Sequence, residues 1–137
     1  MENRLMSAYR CSNVWMATSF QGAVSGVLDF AAHRGIRSVV VGTHMRSEMV
    51  DCVHYLQEYS NMVVHYADLS EPNAVSDVVN KNSPCMCLFE SCSTPSSCIL
   101  WNPILRVVKQ HDGANLVVVD NTCLTHVQSN PLVDGAD

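Results

Sequence analysis

Residues 116–137 read LVVVDNTCLTHVQSNPLVDGAD, an apolar run that stops abruptly at Asp120, Asn121 and Thr122. Leu116-Val117-Val118-Val119 is too short for a membrane span and too rich in β-branched side chains to prefer a helix, so it reads as a buried strand. A strand buried on both faces belongs to a parallel sheet, and a carboxylate at its C-terminal end stands where open α/β sheets bind ligands. Asp120 is therefore the first candidate site residue.

Upstream, strand and helix patterns alternate. Val14 to Thr18 has the composition of a short strand, and Ser19 can cap a helix running to His33, with Ala23, Val24, Val27, Phe30 and Ala31 at helical spacing. Arg37 to Gly42 holds Val39-Val40-Val41, a second strand, and Ser47 to Glu58 carries Met49, Val50, Val53 and Leu56 on one helical stripe. Met62 to Tyr66 is a third strand. Ser70-Glu71-Pro72 opens a helix to Asn80, with proline in its first turn. Cys85 to Glu90 makes a fourth strand, followed by a serine-rich loop from Ser91 to Cys98. Asn102-Pro103 then opens a helix ending near Gly113, a residue suited to a left-handed cap, before the fifth strand at Leu116.

This order predicts an α/β fold of three layers, a mostly parallel sheet with helices on both faces. Right-handed crossovers place the strand-to-helix turns along one edge, where Ser19, Thr43, Glu90 and Asp120 should gather. Residues 1–13 read as a frayed N-terminal segment and residues 14–137 as the folded unit.

Composition limits the function classes. A chain of 137 residues that is 47% apolar can build a core, while a formal charge of -5 without a basic cluster argues against nucleic acid and anionic membrane as partners. No stretch approaches a transmembrane length, and MENRLMSAYR lacks the apolar core of a signal peptide, which points to a soluble cytoplasmic protein. Seven cysteines, an odd number, favour reduced thiols over a disulfide framework. Cys85, Cys87, Cys92 and Cys98 lack the paired Cys-x-x-Cys knuckles of a zinc site. Cys85 and Cys87 alternate along a strand and share one face, so no metal is expected.

The string VVVDNT, followed by Asn130-Pro131-Leu132 and Gly135-Ala136-Asp137, resembles the Cys/Met-metabolism family of pyridoxal-phosphate enzymes, which includes cystathionine γ-lyase and cystathionine γ-synthase. The resemblance implies a partial large domain of the fold-type I kind, with pyridoxal 5'-phosphate as cofactor and a sulfur amino acid as substrate. It gives Asp120 the place facing the pyridine nitrogen, where a carboxylate favours the protonated ring and makes it a better electron sink. Thr122 belongs to the same cofactor-binding string. Ser19-Phe20-Gln21-Gly22-Ala23 falls on the family's phosphate-binding turn at a helix N-terminus, with Ser19 and Gln21 as candidate contacts and Phe20 in place of a glycine. MCLFESCSTP, residues 86–95, falls on the family's loop near the phenolic oxygen and the substrate carboxylate. Thr94 stands there for an asparagine and offers a hydroxyl without an amide. The family's stacking tyrosine has no counterpart in Gly42-Thr43-His44-Met45-Arg46-Ser47, where His44 reads as an exposed loop residue.

In that family the Schiff-base lysine follows in a serine-x-threonine-lysine segment beyond Asp137. The two lysines of this sequence, Lys81 and Lys109, sit in last turns of helices, where a cation faces solvent and complements the dipole. The resemblance therefore implies a fragment or short isoform of a cystathionine γ-lyase-like enzyme, inactive alone. As a homo-oligomer or beside a full-length relative, it would leave sheet edges to be covered. Two other readings stand beside it: a non-catalytic interaction protein that pairs with such a relative, and an unrelated doubly wound domain for a nucleotide or phosphate. The last lacks a glycine-rich phosphate fingerprint.

Overall fold

Valine-rich strands with no polar face need cover on both sides, and the chain provides it. The computed structural model describes residues 1–93, 97–98, 101–110 and 115–137. Its elements are α1 (Glu2–Tyr9), α2 (Phe20–His33), β1 (Ser38–Gly42), α3 (Ser47–Tyr59), β2 (Val63–Ala67), α4 (Pro72–Asn82), β3 (Cys85–Glu90), β4 (Cys92–Ser93), β5 (Ser97–Cys98), α5 (Trp101–Lys109), β6 (Leu116–Asp120) and α6 (Pro131–Asp134). Among the described residues, β2-β1-β3-β6 form a four-stranded sheet with every pairing parallel, and β4 and β5 pair as a short antiparallel hairpin.

Alternation along each strand divides the core into two halves. Val39, Val41, Met86 and Leu88 face α2 and α3, meeting Val24, Leu28, Ala31, Met49, Val53 and Leu56. Val40, Cys85, Cys87, Phe89 and Val117 face α4 and α5, meeting Val75, Val79, Ile104, Leu105 and Val108. β3 is buried at every residue, as a central strand of a three-layer sandwich must be. Cys85 and Cys87 do share a face, packed in apolar surroundings.

Helix starts follow local chemistry. The Ser19 hydroxyl accepts from the Gly22 N–H at 3.1 Å and caps α2 as expected. For α4 the expected cap moves by one residue: Glu71 occupies the N-cap with Pro72 next, while the Ser70 N–H donates to the Asp68 carboxylate at 2.9 Å. Asp68 and Ser70 thus close their own turn instead of opening the helix.

Two readings of the N-terminal region differ from the structure. Residues 11–18 form no strand, because Trp15 and Met16 lie exposed with no neighbouring strand to pair with them among the described residues. Residues 2–9, read as frayed, form α1. This helix is short, buries no residue and opens without a side-chain cap, so its start carries no signal in the sequence. Asn130 Nδ2 donates to the Tyr9 carbonyl at 3.3 Å and the Tyr9 and His126 rings lie 5.2 Å apart, so the helix end rests on the loop after β6. The expected cap at Gly113 lies outside the described residues.

Phe89, 1% exposed, is among the largest fully buried side chains and packs with α4 and α5. Phe89→Ala is expected to lower the unfolding free energy by about 3–5 kcal/mol through lost burial and the cavity left behind. Urea unfolding followed by circular dichroism measures it, and a loss below ~1 kcal/mol would mean that this half of the core is not packed as described.

Candidate functional site

Parallel strands bring their C-terminal ends to one edge, and there β3 and β6 each end in an acid. Glu90 and Asp120 are register partners on neighbouring strands. Both side chains are buried, at 3% and 6% exposure, on the face that looks toward α2 and α3. Two adjacent carboxylates withdrawn from water repel each other and lose hydration, so a compensating cation is required.

Arg46 is that cation. Its Nε donates to Glu90 Oε1 at 2.7 Å, its backbone N–H donates to Glu90 Oε2 at 3.0 Å, and its Nη2 donates to Asp120 Oδ2. The Phe20 ring lies 5.7 Å from the guanidinium carbon and covers its remaining side. The hydrogen bond to Glu90 holds Arg46 in its charged form, above the ordinary arginine range; burial opposes this and the Asp120 charge adds to it. Asp120 Oδ1 accepts from the Thr122 N–H at 2.9 Å and from the Thr122 hydroxyl, so the carboxylate is fixed at both oxygens. The Ser91 N–H donates to the Asp120 carbonyl at 2.9 Å, and the Ser91 hydroxyl donates to Asn121 Oδ1. Asn121 Nδ2 in turn donates to the Ser129 carbonyl at 3.0 Å, tying the loop back on itself.

Asp120 and Thr122 open onto a cavity of about 260 Å³ between α2 and the sheet, walled by Phe20, Val24, Leu28, Leu88 and Val118 among others. Of the residues the sequence singled out, Asp120, Thr122 and Glu90 come together. Ser19 joins them through its neighbour Phe20, which lines the cavity while Ser19 caps the helix beside it. Gln21 is exposed in the first turn of α2 and is not part of the cavity lining. Thr43 and His44 lie exposed at the end of β1, with Thr43 Oγ1 and His44 Nδ1 at 3.1 Å. Thr94 lies outside the described residues.

Arg46 was not singled out by the sequence, although it carried a signal. It is the N-cap residue of α3, where a positive side chain opposes the helix dipole and makes no cap hydrogen bond. A cation so placed implies a carboxylate supplied from elsewhere in the fold.

A flat, cationic ring ligand requires apolar walls, one acceptor at a ring nitrogen and donors for any anionic tail. Val118 and Leu88 supply walls, and Asp120 supplies the acceptor. The first turn of α2 presents backbone N–H groups. Phe20, in the glycine's place, is a helical residue without positive φ, so it causes no backbone strain. These residues fit a pyridoxal phosphate ring. The lysines stand apart from it. Lys81 is exposed at the end of α4, and Lys109, on the opposite side of the sheet, is 36% exposed and ion-paired with Asp137 instead of free in solvent. Neither lines the cavity. Among the described residues no cluster of His, Cys, Asp and Glu could hold a metal ion, and no helix is long and apolar enough to cross a membrane.

Comparison with known proteins agrees with this geometry. The profile of the family described as Cys/Met metabolism PLP-dependent enzyme matches residues 1–137. A cystathionine beta-lyase of Neurospora crassa is 27% identical over 135 residues, 98% of this chain and 28% of the relative. The structure of a cystathionine gamma-lyase from Micromonospora echinospora superposes with a TM-score of 0.84 at 24% identity, covering 99% of this chain and 35% of that one. A cystathionine gamma synthase from Xanthomonas oryzae pv. oryzae, in complex with cystathionine, gives a TM-score of 0.80 at 21% identity, over 99% of this chain and 34% of that one. The chain thus spans about a third of the length of these relatives.

Glu90→Ala leaves Arg46 paired with Asp120 but removes the acceptor of both its Nε and its backbone N–H, and is expected to lower stability by about 2–3 kcal/mol. Ser19→Ala, which removes an exposed helix cap, should lower it by only ~1 kcal/mol. Equal small losses in urea titrations of the two variants would show that water, not Glu90, neutralises Arg46.

Proposed function

The chain belongs to the Cys/Met metabolism PLP-dependent enzyme family, and from that premise we propose that it carries the ring-nitrogen end of a pyridoxal-phosphate site. In this reading it is a fragment or short isoform of a transsulfuration enzyme, similar in kind to cystathionine γ-lyase, and it is inactive by itself. Its compartment is the cytoplasm, in keeping with the free thiols of Cys85, Cys87 and Cys123. The observation that carries the proposal is the Asp120 carboxylate, buried at the end of β6 and opening onto an apolar cavity beside the N-terminus of α2.

Asp120 would hold a proton on the ring nitrogen, because a fixed carboxylate favours the cationic ring. Thr122 holds that carboxylate by donating to Oδ1 through both its N–H and its hydroxyl. Val24, Leu28, Leu88 and Val118 exclude water from the ring faces, which strengthens the charge pairing. The N-terminus of α2, capped by Ser19, would receive the phosphate with its first backbone N–H groups, with Gln21 exposed alongside. When bound, the cofactor supplies an electron sink for bond cleavage at a sulfur amino acid. Lys81 and Lys109 lie outside the cavity lining, so the chain offers no amine there to tether the cofactor, which supports the inactive reading.

A second reading keeps the same fold and gives it a partner: association with a full-length relative or with another copy. The outer edge of β6 favours it. Among the described residues β6 ends the sheet with β3 as its partner on one side, and on the other side Asp137 covers the N–H and C=O of Val117, each at 2.9 Å. Strand edges left this short of partners are ready to pair.

Titrating the purified chain with pyridoxal phosphate by absorbance, before and after borohydride, tests the first reading. Saturable, reversible binding that is lost in Asp120→Ala, with no lysine modified on peptide mapping, is the expected result. A reduced adduct at one specific lysine would overturn the inactive reading, and absence of saturable binding would overturn the cofactor site.

A further inference from the structure

The cavity has its acceptor, but the neighbouring elements decide where it points. Glu90 stands opposite Asp120 in the register, and both are nearly out of contact with water. Without a bridge, the two carboxylates repel each other at short range with little water between them, and nothing holds Oδ2 of Asp120 in place. A rotated Asp120 is a poor partner for a cationic ring nitrogen.

We propose that Arg46 is a positioning residue that keeps Asp120 a fixed carboxylate aimed at the ligand nitrogen, using Glu90 as its anchor. The inference rests on the cofactor reading given above and assigns it a controlling residue. Three observations converge on it. Arg46 is anchored twice to Glu90, through Nε at 2.7 Å and through its own backbone N–H at 3.0 Å, so its place does not depend on Asp120. Its Nη2 then reaches Asp120 Oδ2, leaving Oδ1 to Thr122. The Phe20 ring closes the open side of the guanidinium at 5.7 Å and also lines the cavity, so the group that covers the bridge borders the ligand as well.

The charge count makes the arrangement directional. Glu90 and Asp120 contribute two negative charges and Arg46 one positive charge, so one negative charge remains, and it lies next to the cavity at Asp120. The other titratable groups that act on the bridge are Glu48 and Cys52 from α3 and Cys123 from the loop after β6. None of them supplies a second cation, so Arg46 alone among these groups offsets the acids.

Two measurements test this. In the ligand-free chain, the Thr122 N–H, which donates to Asp120 Oδ1, should exchange with solvent about tenfold faster in Arg46→Gln than in the natural chain, followed by NMR-detected hydrogen exchange at fixed pH. In Arg46→Gln/Glu90→Gln, which removes the repelling neighbour with the bridge and so protects folding, the exchange should slow again by about threefold or more. Separately, the natural chain should bind pyridoxal phosphate about tenfold more tightly than 1-deazapyridoxal phosphate, which lacks the ring nitrogen. That ratio should fall toward one in Arg46→Gln and in the double variant and return in part in Arg46→Lys. An unchanged Thr122 exchange rate in Arg46→Gln, or an undiminished ratio in the double variant, overturns the role of Arg46. A ratio of one in the natural chain overturns instead the cofactor reading, and the ligand-free exchange measurement still decides whether Arg46 holds Asp120.

Discussion

A single arginine between two buried acids ties together the turns that end β1, β3 and β6. Arg46 lies where the chain leaves β1 for α3, Glu90 closes β3 and Asp120 closes β6. Each strand enters the sheet independently, held by parallel ladders and by valine, leucine and methionine side chains. Only at this edge do their ends meet through charge. Burying the two carboxylates side by side opposes the β3–β6 register, and the guanidinium offsets that repulsion. The same ladder that stabilises the sheet therefore fixes the spacing of the acids to be bridged.

Elements whose signal lies within a few neighbouring residues were legible from sequence. β1, β3 and β6 stand out because apolar residues follow one another without a polar face, and α2 because Ser19 caps an apolar stripe. The expected strand at residues 14–18 fails because β-branched and aromatic composition says nothing about a pairing partner, and Trp15 is left 92% exposed. The helix at residues 2–9 was missed for another reason: Leu5, Ala8 and Tyr9 stand at helical spacing, but the stretch is short, has no capping side chain and buries none of them. Asp120 and Thr122 could be read as candidates because their motif is contiguous. Arg46 could not, since its partners lie 44 and 74 residues further along the chain. Its own contradiction, a cation at a helix N-terminus, was the available clue.

The two faces of the sheet divide the labour. Toward α4 and α5, Cys85, Cys87 and Phe89 fill an apolar half-core, and the nearest lysine, Lys109, is engaged with Asp137. That ion pair is part of a local device. Gly135, at φ 110°, caps α6 in a left-handed conformation that favours glycine and returns the chain toward β6. Asp137 then meets Val117 twice, its N–H donating to the carbonyl and its side chain accepting from the N–H. A carboxylate stands in for the backbone acceptor of an adjoining strand. The Gly-Ala-Asp string thus has a structural meaning here that is separate from the cofactor.

Toward α2 and α3 the sheet presents the bridged acids, and the physical content of the site is there. A carboxylate that must move or ionise when its ligand arrives spends part of the interaction on that change. One already held by Thr122 at one oxygen and Arg46 at the other does not. Preorganisation of this kind needs no catalytic lysine, because it is completed by strand register and by the three turns that Arg46 connects. In the proposed reading, recognition of a ring nitrogen and tethering of the ring are therefore separable: the first would rest on residues 46, 90, 120 and 122, while the lysines of the chain lie elsewhere on its surface, at the ends of α4 and α5.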